Sequence, residues 1–520
     1  MTASLHVMTP PDPLELAWYP CNDRGNARRL QARSQGLLRW VDMGEQAGYW
    51  IGFDGTRWDR GTGERQARLL ADEVADCLRE EAIALAQQVK DGRIPAGMPP
   101  NIAEERVIEI RKWALKSGNA AQTEGMLKKA KPIMAVSLDD FDPDPYAFNV
   151  LNGTLRFRQH GDGWHVQRDD HDPADMITRI AAVEYAPRAD CPQWLARLAH
   201  LHPEADQREM FRRIMGYALL GVRSEQKWVV AQGRGGDGKG VTVAVLSTIF
   251  GDYYRHADVQ TFLKGGTKSG SDHSEDLARL GGDTRLVTCD EPERFSTWNS
   301  KILKQWTGGG RMTVRGLRQA SVEIEPRGLL IVECNPFPRV PTSDDGFWRR
   351  CLPFRWKVQL SEAEQRAGPF DQVKAALLGE GSGVLNWMIG GALAWLAERD
   401  LKPSADALET RETYRNTSDP FAEWYRTRCV TGDPADKSLR QLGSELHADF
   451  KSFCEDELGI DGAKVPGQRA FGTQLDERQH PNRKSNGNKF RFGIRLKLPH
   501  ERVADEAGGP EGPIEEVPGW

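Results

Sequence analysis

The chain has 520 residues, of which 39% are hydrophobic and 28% are charged. This composition can build the cores of about two to four domains and excludes wholesale disorder. The formal net charge of −5 does not indicate a nucleic-acid partner, so any surface that binds DNA must be local.

The cysteines and the apolar segments favour a protein of the cytoplasm. None of the eight cysteines belongs to a CxxC pair, which argues against a zinc ribbon or a disulfide framework. The amino-terminus lacks a basic region followed by an apolar run, so we expect no signal peptide. The most apolar stretch, 383–397, is shorter than the ~20 residues of a membrane span and is interrupted by Asn386. We therefore predict a cytoplasmic chain without a membrane partner, and a buried helix at 383–397.

Helical periodicity dominates the first part of the chain. We expect residues 1–180 to form an α-rich amino-terminal region that acts as a collar for oligomerisation or binds a partner. The patterns of apolar residues and of breakers predict an irregular, aromatic-rich segment at 1–62, helices at 66–90, 103–130 and 206–220, an acidic turn at 139–144, strands at 149–157 and a loop at 161–175.

From Lys227 onward, short apolar strands alternate with helices, which is typical of an α/β nucleotide-binding domain. We place this ATPase domain at 181–400. Its predicted strands lie at 228–231, 285–289 and 328–334.

The strongest motif is GRGGDGKG, 233–240, which fits the pattern GxxxxGK between an apolar strand and a helix. In that context the glycines let backbone N–H groups wrap phosphates, and the helix amino-terminus adds positive potential. We expect Lys239 to reach the β- and γ-phosphates of ATP. The alternative is a glycine-rich loop that contains a lysine by chance. The predicted nucleotide-binding residues are Gly233, Gly235, Gly236, Asp237, Gly238, Lys239, Gly240, Val241 and Thr242.

Two positions depart from the usual phosphate-binding loop. Gly240 stands where a Ser or Thr hydroxyl ordinarily binds Mg²⁺, so we expect Thr242 or a water molecule to take that place. Asp237 brings a carboxylate near the phosphates, which is tolerable only if its side chain points away from them.

A second motif, RLVTCDE at 285–291, ends a buried strand with two carboxylates. Ligands of open α/β sheets bind at this end of the strands. Asp290 is expected to hold Mg²⁺, usually through water, and Glu291 to polarise the attacking water.

Two further motifs follow along the chain. GLLIVECN, 328–335, ends in Asn335, which is expected to orient the lytic water; an Asn-Pro turn is the alternative. DDGFWRRCLPF, 344–354, contains Arg349 and Arg350, either of which suits an arginine finger for a neighbouring subunit, whereas an ordinary surface pair is the alternative.

The last part of the chain is more polar and predicts a winged-helix domain at 401–500. Helices are expected at 439–457 and 468–476, followed by a basic hairpin at 483–497 that turns at Asn486 and Gly487. A solvated basic surface is the alternative. Residues 501–520 read as an acidic, disordered tail. The predicted DNA contacts of this domain are Arg483, Lys484, Lys489 and Arg491.

The four ATPase motifs occur in the order of the superfamily III helicases. More closely, the chain resembles the ATPase portion of the phage and plasmid primase-helicase family, which is related to the poxvirus primase-helicase. The segments KQWTGG, 304–309, and RMTVR, 311–315, are similar to an extra motif of that family. The resemblance implies an AAA+-like core, a hexameric ring that hydrolyses ATP with Mg²⁺ at subunit interfaces, and translocation on single-stranded and forked DNA during replication of a phage, prophage or plasmid.

The resemblance also implies a hairpin at about 312–324 that faces the pore of the ring. Arg315 and Arg318 are the candidates for gripping DNA phosphates there, and arginines merely exposed to solvent are the alternative. Family members often carry a primase domain upstream, and we expect any primase activity to belong to a separate chain, with a replication initiator as another expected partner. Asp140 and Asp142 form a DxD pair, which we interpret as part of an acidic turn.

Two other functions fit the same motifs. One is a P-loop motor with another task on DNA, and the segment 304–315 argues against it. The other is an origin-binding protein whose ATP site only controls assembly, and the presence of Glu291, Arg349 and Arg350 argues against that.

Overall fold

The structure is a computed structural model, and it describes residues 11–44, 46–93, 99–161, 163–264, 276–293, 296–315, 321–340, 345–457, 462, 465–485, 488–498 and 500–501. The chain forms two compact units. The first unit comprises Met1–Pro336 with Arg349–Ala407, and the second comprises Phe337–Trp348 with Leu408–Trp520.

Helices and strands occur throughout the described residues. The helices are α1 Pro13–Leu16, α2 Asp23–Ser34, α3 Arg60–Lys90, α4 Pro100–Ser117, α5 Ala120–Ala130, α6 Pro192–Leu201, α7 Ala205–Leu219, α8 Lys239–Phe250, α9 Ser300–Thr307, α10 Asp345–Arg350, α11 Glu362–Ala367, α12 Phe370–Gly379, α13 Gly381–Glu398, α14 Ala405–Thr417, α15 Pro420–Arg428, α16 Gly443–Ser452 and α17 Gln468–Glu477. The strands are β1 Leu38–Met43, β2 Gln46–Phe53, β3 Trp58–Asp59, β4 Ala135–Ser137, β5 Ala147–Val150, β6 Gly153–His160, β7 Gly163–Asp169, β8 Trp228–Gln232, β9 Tyr254–Ala257, β10 Leu286–Cys289, β11 Met312–Arg315, β12 Ser321–Ile324, β13 Leu329–Cys334, β14 Cys351–Arg355, β15 Cys429–Thr431, β16 Arg440–Leu442, β17 Asn482–Ser485, β18 Asn488–Phe492 and β19 Ile494–Leu496.

The amino-terminal part of the first unit contains a sheet that the sequence pattern did not reveal. Its four strands lie in the order β3-β2-β1-β4, and α3 packs against β2. The packing is close because Gly63 has no side chain: a Cβ there would lie 2.3 Å from the Cα atom of Ile51. The prediction of irregular structure up to residue 62 was therefore wrong. The predicted helix at 66–90 corresponds to α3, and the predicted helical stretch at 103–130 is divided into α4 and α5.

A second, antiparallel sheet lies between the amino-terminal helices and the nucleotide-binding region in the sequence. Its strands have the order β5-β6-β7, so the predicted loop at 161–175 is partly a strand. Few apolar residues mark β7, because most of its side chains are exposed or half-buried. Asp142 of the DxD pair accepts hydrogen bonds from the backbone N–H and hydroxyl of Thr178 at 2.8 and 2.6 Å, which supports the interpretation of this segment as a structural turn.

The third sheet of this unit is five-stranded and parallel, in the order β14-β8-β13-β10-β9. Strands β8, β10 and β13 confirm the three predicted strands to within one residue at either end. β13, the latest of these three in the chain, is inserted between the other two. The residues that follow β8, β10 and β13 therefore meet at one edge of the sheet, because parallel strands share the direction of their carboxyl ends.

Helices α7 and α13 pack against each other through glycines. Gly216 of α7 faces Gly391 and Ala392 of α13, and a Cβ on Gly216 would lie 2.1 Å from the backbone nitrogen of Ala392. The apolar stretch that predicted a buried helix forms α13, whose buried side chains include Trp395.

The second unit contains α15, α16 and α17, the three-stranded sheet β16-β18-β17 and the pair β15-β19. Its core is rich in aromatic side chains, among them Phe421, Trp424, Phe450 and Phe471. Strands β17 and β18 form the predicted basic hairpin, with Ser485 opposite Asn488. The predicted turn residues Asn486 and Gly487 and the predicted tail at 502–520 lie outside the described residues.

Among the described residues, no helix combines the length and the apolarity that crossing a bilayer requires.

Candidate nucleotide-binding site

The glycine-rich loop connects β8 to α8, as its sequence context predicts. Gly235, Gly236 and Gly238 adopt positive φ angles of 79°, 64° and 77°. Side chains disfavour such angles, so glycine lets the backbone turn tightly before the helix begins at Lys239. The first turn of α8 leaves amides without acceptors inside the helix, which gives this end of the helix an affinity for anions.

The side chain of Asp237 points into the glycine-rich loop and not toward the solvent. Its side chain is buried, and one carboxylate oxygen accepts a hydrogen bond of 3.0 Å from the backbone N–H of Lys239. The other oxygen, Oδ2, packs where a side chain on Gly233 would lie: a Cβ there would be 1.7 Å from it. A side chain at position 233 would therefore displace the Asp237 carboxylate from its place inside the loop.

Lys239 is nearly buried, and its ammonium group contacts a carboxylate of the neighbouring strand. The Nζ atom lies 3.6 Å from Oε2 of Glu333 in β13. Burial raises the pKa of the Glu333 carboxyl, Lys239 lowers it, and the charges of Asp290 and Asp237 raise it again. These interactions show that Lys239 of the loop and Asp290, which follows β10, lie at the same edge of the sheet.

Asp290 and Glu291 directly follow β10, and both are exposed. His256 of β9 places its Nε2 atom 3.2 Å from Oδ2 of Asp290 and its Nδ1 atom 3.5 Å from the hydroxyl of Thr288. Exposed carboxylate oxygens beside a lysine and a helix amino-terminus suit a hydrated Mg²⁺ that accompanies phosphates. Asp290 alone supplies such an oxygen ligand here, since the described residues contain no group of three or more His, Cys, Asp or Glu side chains that could hold a metal ion.

Thr242 is less suited to that metal in the described conformation. It is fully buried, and its hydroxyl donates a hydrogen bond of 3.0 Å to the backbone carbonyl of Gly238. A hydrated ion would not reach this hydroxyl without a rearrangement. Of the two substitutes expected for the hydroxyl missing at Gly240, the water molecule is favoured.

Asn335 follows β13 and is exposed at the same sheet edge as Asp290. The backbone carbonyl of Cys334, just before it, accepts a hydrogen bond of 3.2 Å from the N–H of Gly233. The asparagine is thereby held beside the start of the glycine-rich loop.

Arg349 and Arg350 lie at the opposite edge of the sheet. They precede β14, whose first residue, Cys351, is paired in register with Trp228 at the start of β8. Both arginines donate hydrogen bonds to Oε1 of Gln226, at 3.1 and 3.3 Å. The length of β14 therefore separates both arginines from the glycine-rich loop of their own chain.

The predicted pore hairpin is present as β11 and β12, in which Met312 pairs with Ile324. Its tip, which contains Arg318, lies outside the described residues, and Arg315 is the last described residue before it. Before the hairpin, Trp306 of α9 is buried, and its indole N–H donates to the carbonyl of Gly328 at 3.0 Å.

The basic hairpin of the second unit carries both exposed and buried cationic side chains. Arg483, Lys484 and Lys489 are exposed. Arg491 is buried and donates hydrogen bonds to the carboxylate of Asp476 and to backbone carbonyls of the same unit. The expectation that Arg491 contacts DNA is therefore corrected: its guanidinium is occupied in joining α17 to the sheet.

Sequence reasoning missed Glu333 and His256. Glu333 carried a signal, since it is the one charged residue of the strand LLIVEC. Its partner is 94 positions away in the chain (333 minus 239) and could be identified only from the strand order. His256 lies in a short strand that no pattern distinguished.

The chain is similar in part to several known proteins. A family model described as "D5 N terminal like" matches residues 27–201. "Putative helicase L207/L206" of Acanthamoeba polyphaga mimivirus is 31% identical over 172 residues, 32% of this chain and 18% of that protein. "Putative primase C962R" of African swine fever virus (strain Badajoz 1971 Vero-adapted) is 22% identical over 260 residues, 50% of this chain and 26% of that protein. Residues 27–201 are thus similar to the amino-terminal region of D5-like proteins, and the viral relatives that the chain matches carry helicase and primase names.

The chain spans about a fifth to a quarter of the length of those viral relatives. A solved structure described as "The A form apo structure of NrS-1 C terminal region-CTR" is similar at a TM-score of 0.39 and 13% identity, over 66% of this chain and 94% of that one.

Proposed function

We propose that this chain is an ATP-dependent DNA helicase that acts in the replication of a phage, prophage or plasmid. The observation that carries the proposal is the convergence of Lys239, Asp290 and Glu291 at the carboxyl edge of one parallel sheet. Parallel sheets bind ligands at this edge, and phosphate transfer needs a cation, a metal-binding carboxylate and a group that orients water.

Each residue of the site has a role in ATP hydrolysis. Lys239 and the amides at the start of α8 bind the phosphates, and Asp290 would hold the Mg²⁺ that accompanies them. Glu291 accepts hydrogen bonds from the attacking water, which Asn335 orients. Bound Mg²⁺ offsets phosphate charge.

The order of the strands supports an AAA+-like P-loop core of the superfamily III type. Strand β13 separates the strand of the glycine-rich loop from the acidic strand, and this brings Asn335 between them. The names of the viral relatives, which designate helicases and a primase, accord with DNA as the polymer on which the chain acts.

We propose that two elements bind DNA. The hairpin of β11 and β12 would carry Arg315 and Arg318 toward a single strand, and the second unit would act as a winged helix. Its order of α15, β16, α16, α17 and the hairpin β17–β18 suits that fold, in which a helix enters the groove and the wing contacts phosphates. Arg483, Lys484 and Lys489 are the exposed wing cations.

We propose a homo-hexameric ring with the amino-terminal region as its collar. Support comes from Arg349 and Arg350, which lie about 16 Å from their own phosphate-binding edge at ~3.3 Å per strand residue. An arginine at that distance can serve hydrolysis only in a neighbouring subunit. A separate primase or a replication initiator is the proposed protein partner.

The test is ATP hydrolysis by the purified full chain with and without single-stranded DNA. We expect DNA to stimulate hydrolysis, and Lys239→Ala and Glu291→Gln to lower the rate by about 100-fold or more, because they remove phosphate binding and water activation. Glu293→Gln is the matched control, since this exposed carboxylate lies two residues beyond the site. Unwinding of a forked duplex would then be measured with the active chain.

Other outcomes separate the alternatives. Hydrolysis that is indifferent to DNA would leave a P-loop ATPase with another task. Tight ATP binding without hydrolysis would favour an origin-binding protein in which ATP controls only assembly.

A further inference from the structure

The Lys239–Glu333 contact has a direct consequence for nucleotide binding. Lys239 Nζ lies 3.6 Å from Glu333 Oε2, and the two side chains are only 9% and 22% exposed. Glu333 is the penultimate residue of β13, opposite Ala231 of β8, the strand that the glycine-rich loop follows.

Lys239 is the main positive charge that stabilises the partly buried carboxylate of Glu333. Asp237 and Asp290 both act on Glu333 as like charges, and Lys239 is the cation that acts on it. A partly buried carboxylate beside two others is strongly destabilised if its cation leaves. Moving Lys239 from Glu333 to a phosphate therefore costs free energy that nucleotide binding must offset.

We propose that Glu333 is a positioning residue that holds Lys239 in the nucleotide-free chain and thereby weakens the binding of nucleotides that carry a β-phosphate. The proposal rests on the proposed function, since it assigns a role within the same ATP site. Phosphates compete with Glu333 for one ammonium group, so ADP is released more readily than from a loop whose lysine is free.

The competition depends on the number of phosphates. Lys239 reaches the β- and γ-phosphates, so an effect transmitted through it must act on ADP and ATP and spare AMP. A merely structural role of Glu333 would alter the affinity for all three nucleotides together or unfold the loop.

The experiment measures the dissociation constants of AMP, ADP and a non-hydrolysable ATP analogue by equilibrium titration of the full chain. For Glu333→Gln we expect ADP and the ATP analogue to bind about 10-fold more tightly and AMP to change by less than about twofold. The Michaelis constant for ATP should fall in parallel, while kcat does not rise, because product leaves more slowly. Glu333→Asp keeps the charge on a shorter side chain and should lie between the two.

Glu184→Gln is the matched control, because Glu184 is an exposed carboxylate of the same unit outside the site. If wild type binds ADP and Glu333→Gln binds it no more tightly, or more weakly, the role assigned to Glu333 is wrong while the ATP site stands. Failure of the wild type to bind any of these nucleotides would overturn the proposed function and this role together. If Glu333→Gln does not fold, the same comparison is made with Glu333→Asp, for which unchanged ADP affinity overturns the proposal.

Discussion

Asp142 is a buried carboxylate whose ionisation works against folding at neutral pH. Its pKa is raised from 3.8 to about 6: burial raises it most and the charge of Asp283 raises it as well, while the hydrogen bonds from Thr178 and the charge of Arg179 lower it. The folded state thus holds the proton more tightly than the unfolded state. The stabilisation that protonation contributes is complete below about pH 4 and is lost as the pH rises through 6.

We predict that this pH dependence disappears in Asp142→Asn. Relative to the variant, wild type should gain about 1 kcal/mol between pH 7.5 and pH 5, in addition to a constant difference from the altered hydrogen bonds to Thr178. Thermal melting of both proteins across this range measures it. Asp140→Asn, on the exposed side of the same turn, is the control. A constant difference in melting temperature between wild type and Asp142→Asn at all pH values would contradict the expectation.

The sequence predicted the position of those site residues that directly follow a recognisable strand. Lys239, Asp290 and Asn335 each follow from a strand and the residues that end it, and the strands lie where the sequence predicted them. Glu333 and the internal role of Arg491 depend instead on partners distant in the chain. No periodicity contains that information, because it arises only when nonlocal strands and helices pack.

At the scale of elements, the packing of α7 on α13 depends on two glycines. A Cβ on Gly216 would lie 2.1 Å from the backbone nitrogen of Ala392, and one on Gly391 would lie 2.0 Å from the carbonyl oxygen of Arg212. Backbone atoms cannot yield as a flexible side chain can, so the helices would have to separate.

We predict that Gly216→Ala and Gly391→Ala each destabilise the first unit by on the order of 3 kcal/mol, the cost of overpacking a rigid contact. Gly390→Ala is the matched control on the same helix. Its Cβ would meet only the end of the Arg212 side chain at 2.7 Å, and alanine favours the helix intrinsically. Thermal melting of the three variants tests this, and equal melting temperatures for Gly390→Ala and Gly391→Ala would show that the helices can separate at little cost.

The elements themselves show which patterns sequence can and cannot reveal. Long helices such as α3 have a repeat of apolar residues along one face, and the strands β8, β10 and β13 of the parallel sheet are mostly apolar. Strands β1 to β3 and β7 are short or mixed in polarity, so they lack both signals. The insertion of β13 between β8 and β10 is likewise a property of the assembled sheet.

At the scale of the whole molecule, the residues proposed for ATP hydrolysis lie at two opposite edges of one sheet. Lys239 and Asp290 lie at the carboxyl edge of the parallel sheet, whereas Arg349 and Arg350 lie at its amino edge beside Gln226. Strand β14 is the rigid spacer between these edges. A ring in which each subunit faces the next with opposite edges would complete every site with an arginine from a neighbour.

We predict that two inactive variants restore each other when mixed. Lys239→Ala lacks phosphate binding but keeps both arginines, and the double variant Arg349→Ala/Arg350→Ala keeps the phosphate-binding loop but lacks a finger. If the finger acts between subunits, a 1:1 mixture assembled at random should regain about a quarter of the wild-type ATPase rate, because half of the sites have an intact loop and half of those face an intact arginine. Arg349→Ala and Arg350→Ala are also mixed singly with Lys239→Ala. The arginine finger is the residue whose loss alone inactivates the chain and whose variant regains ATPase activity in the mixture. If the finger instead acted within its own chain, each mixture would be as inactive as its components, since no exchange of neighbours could bring the two halves of the site together.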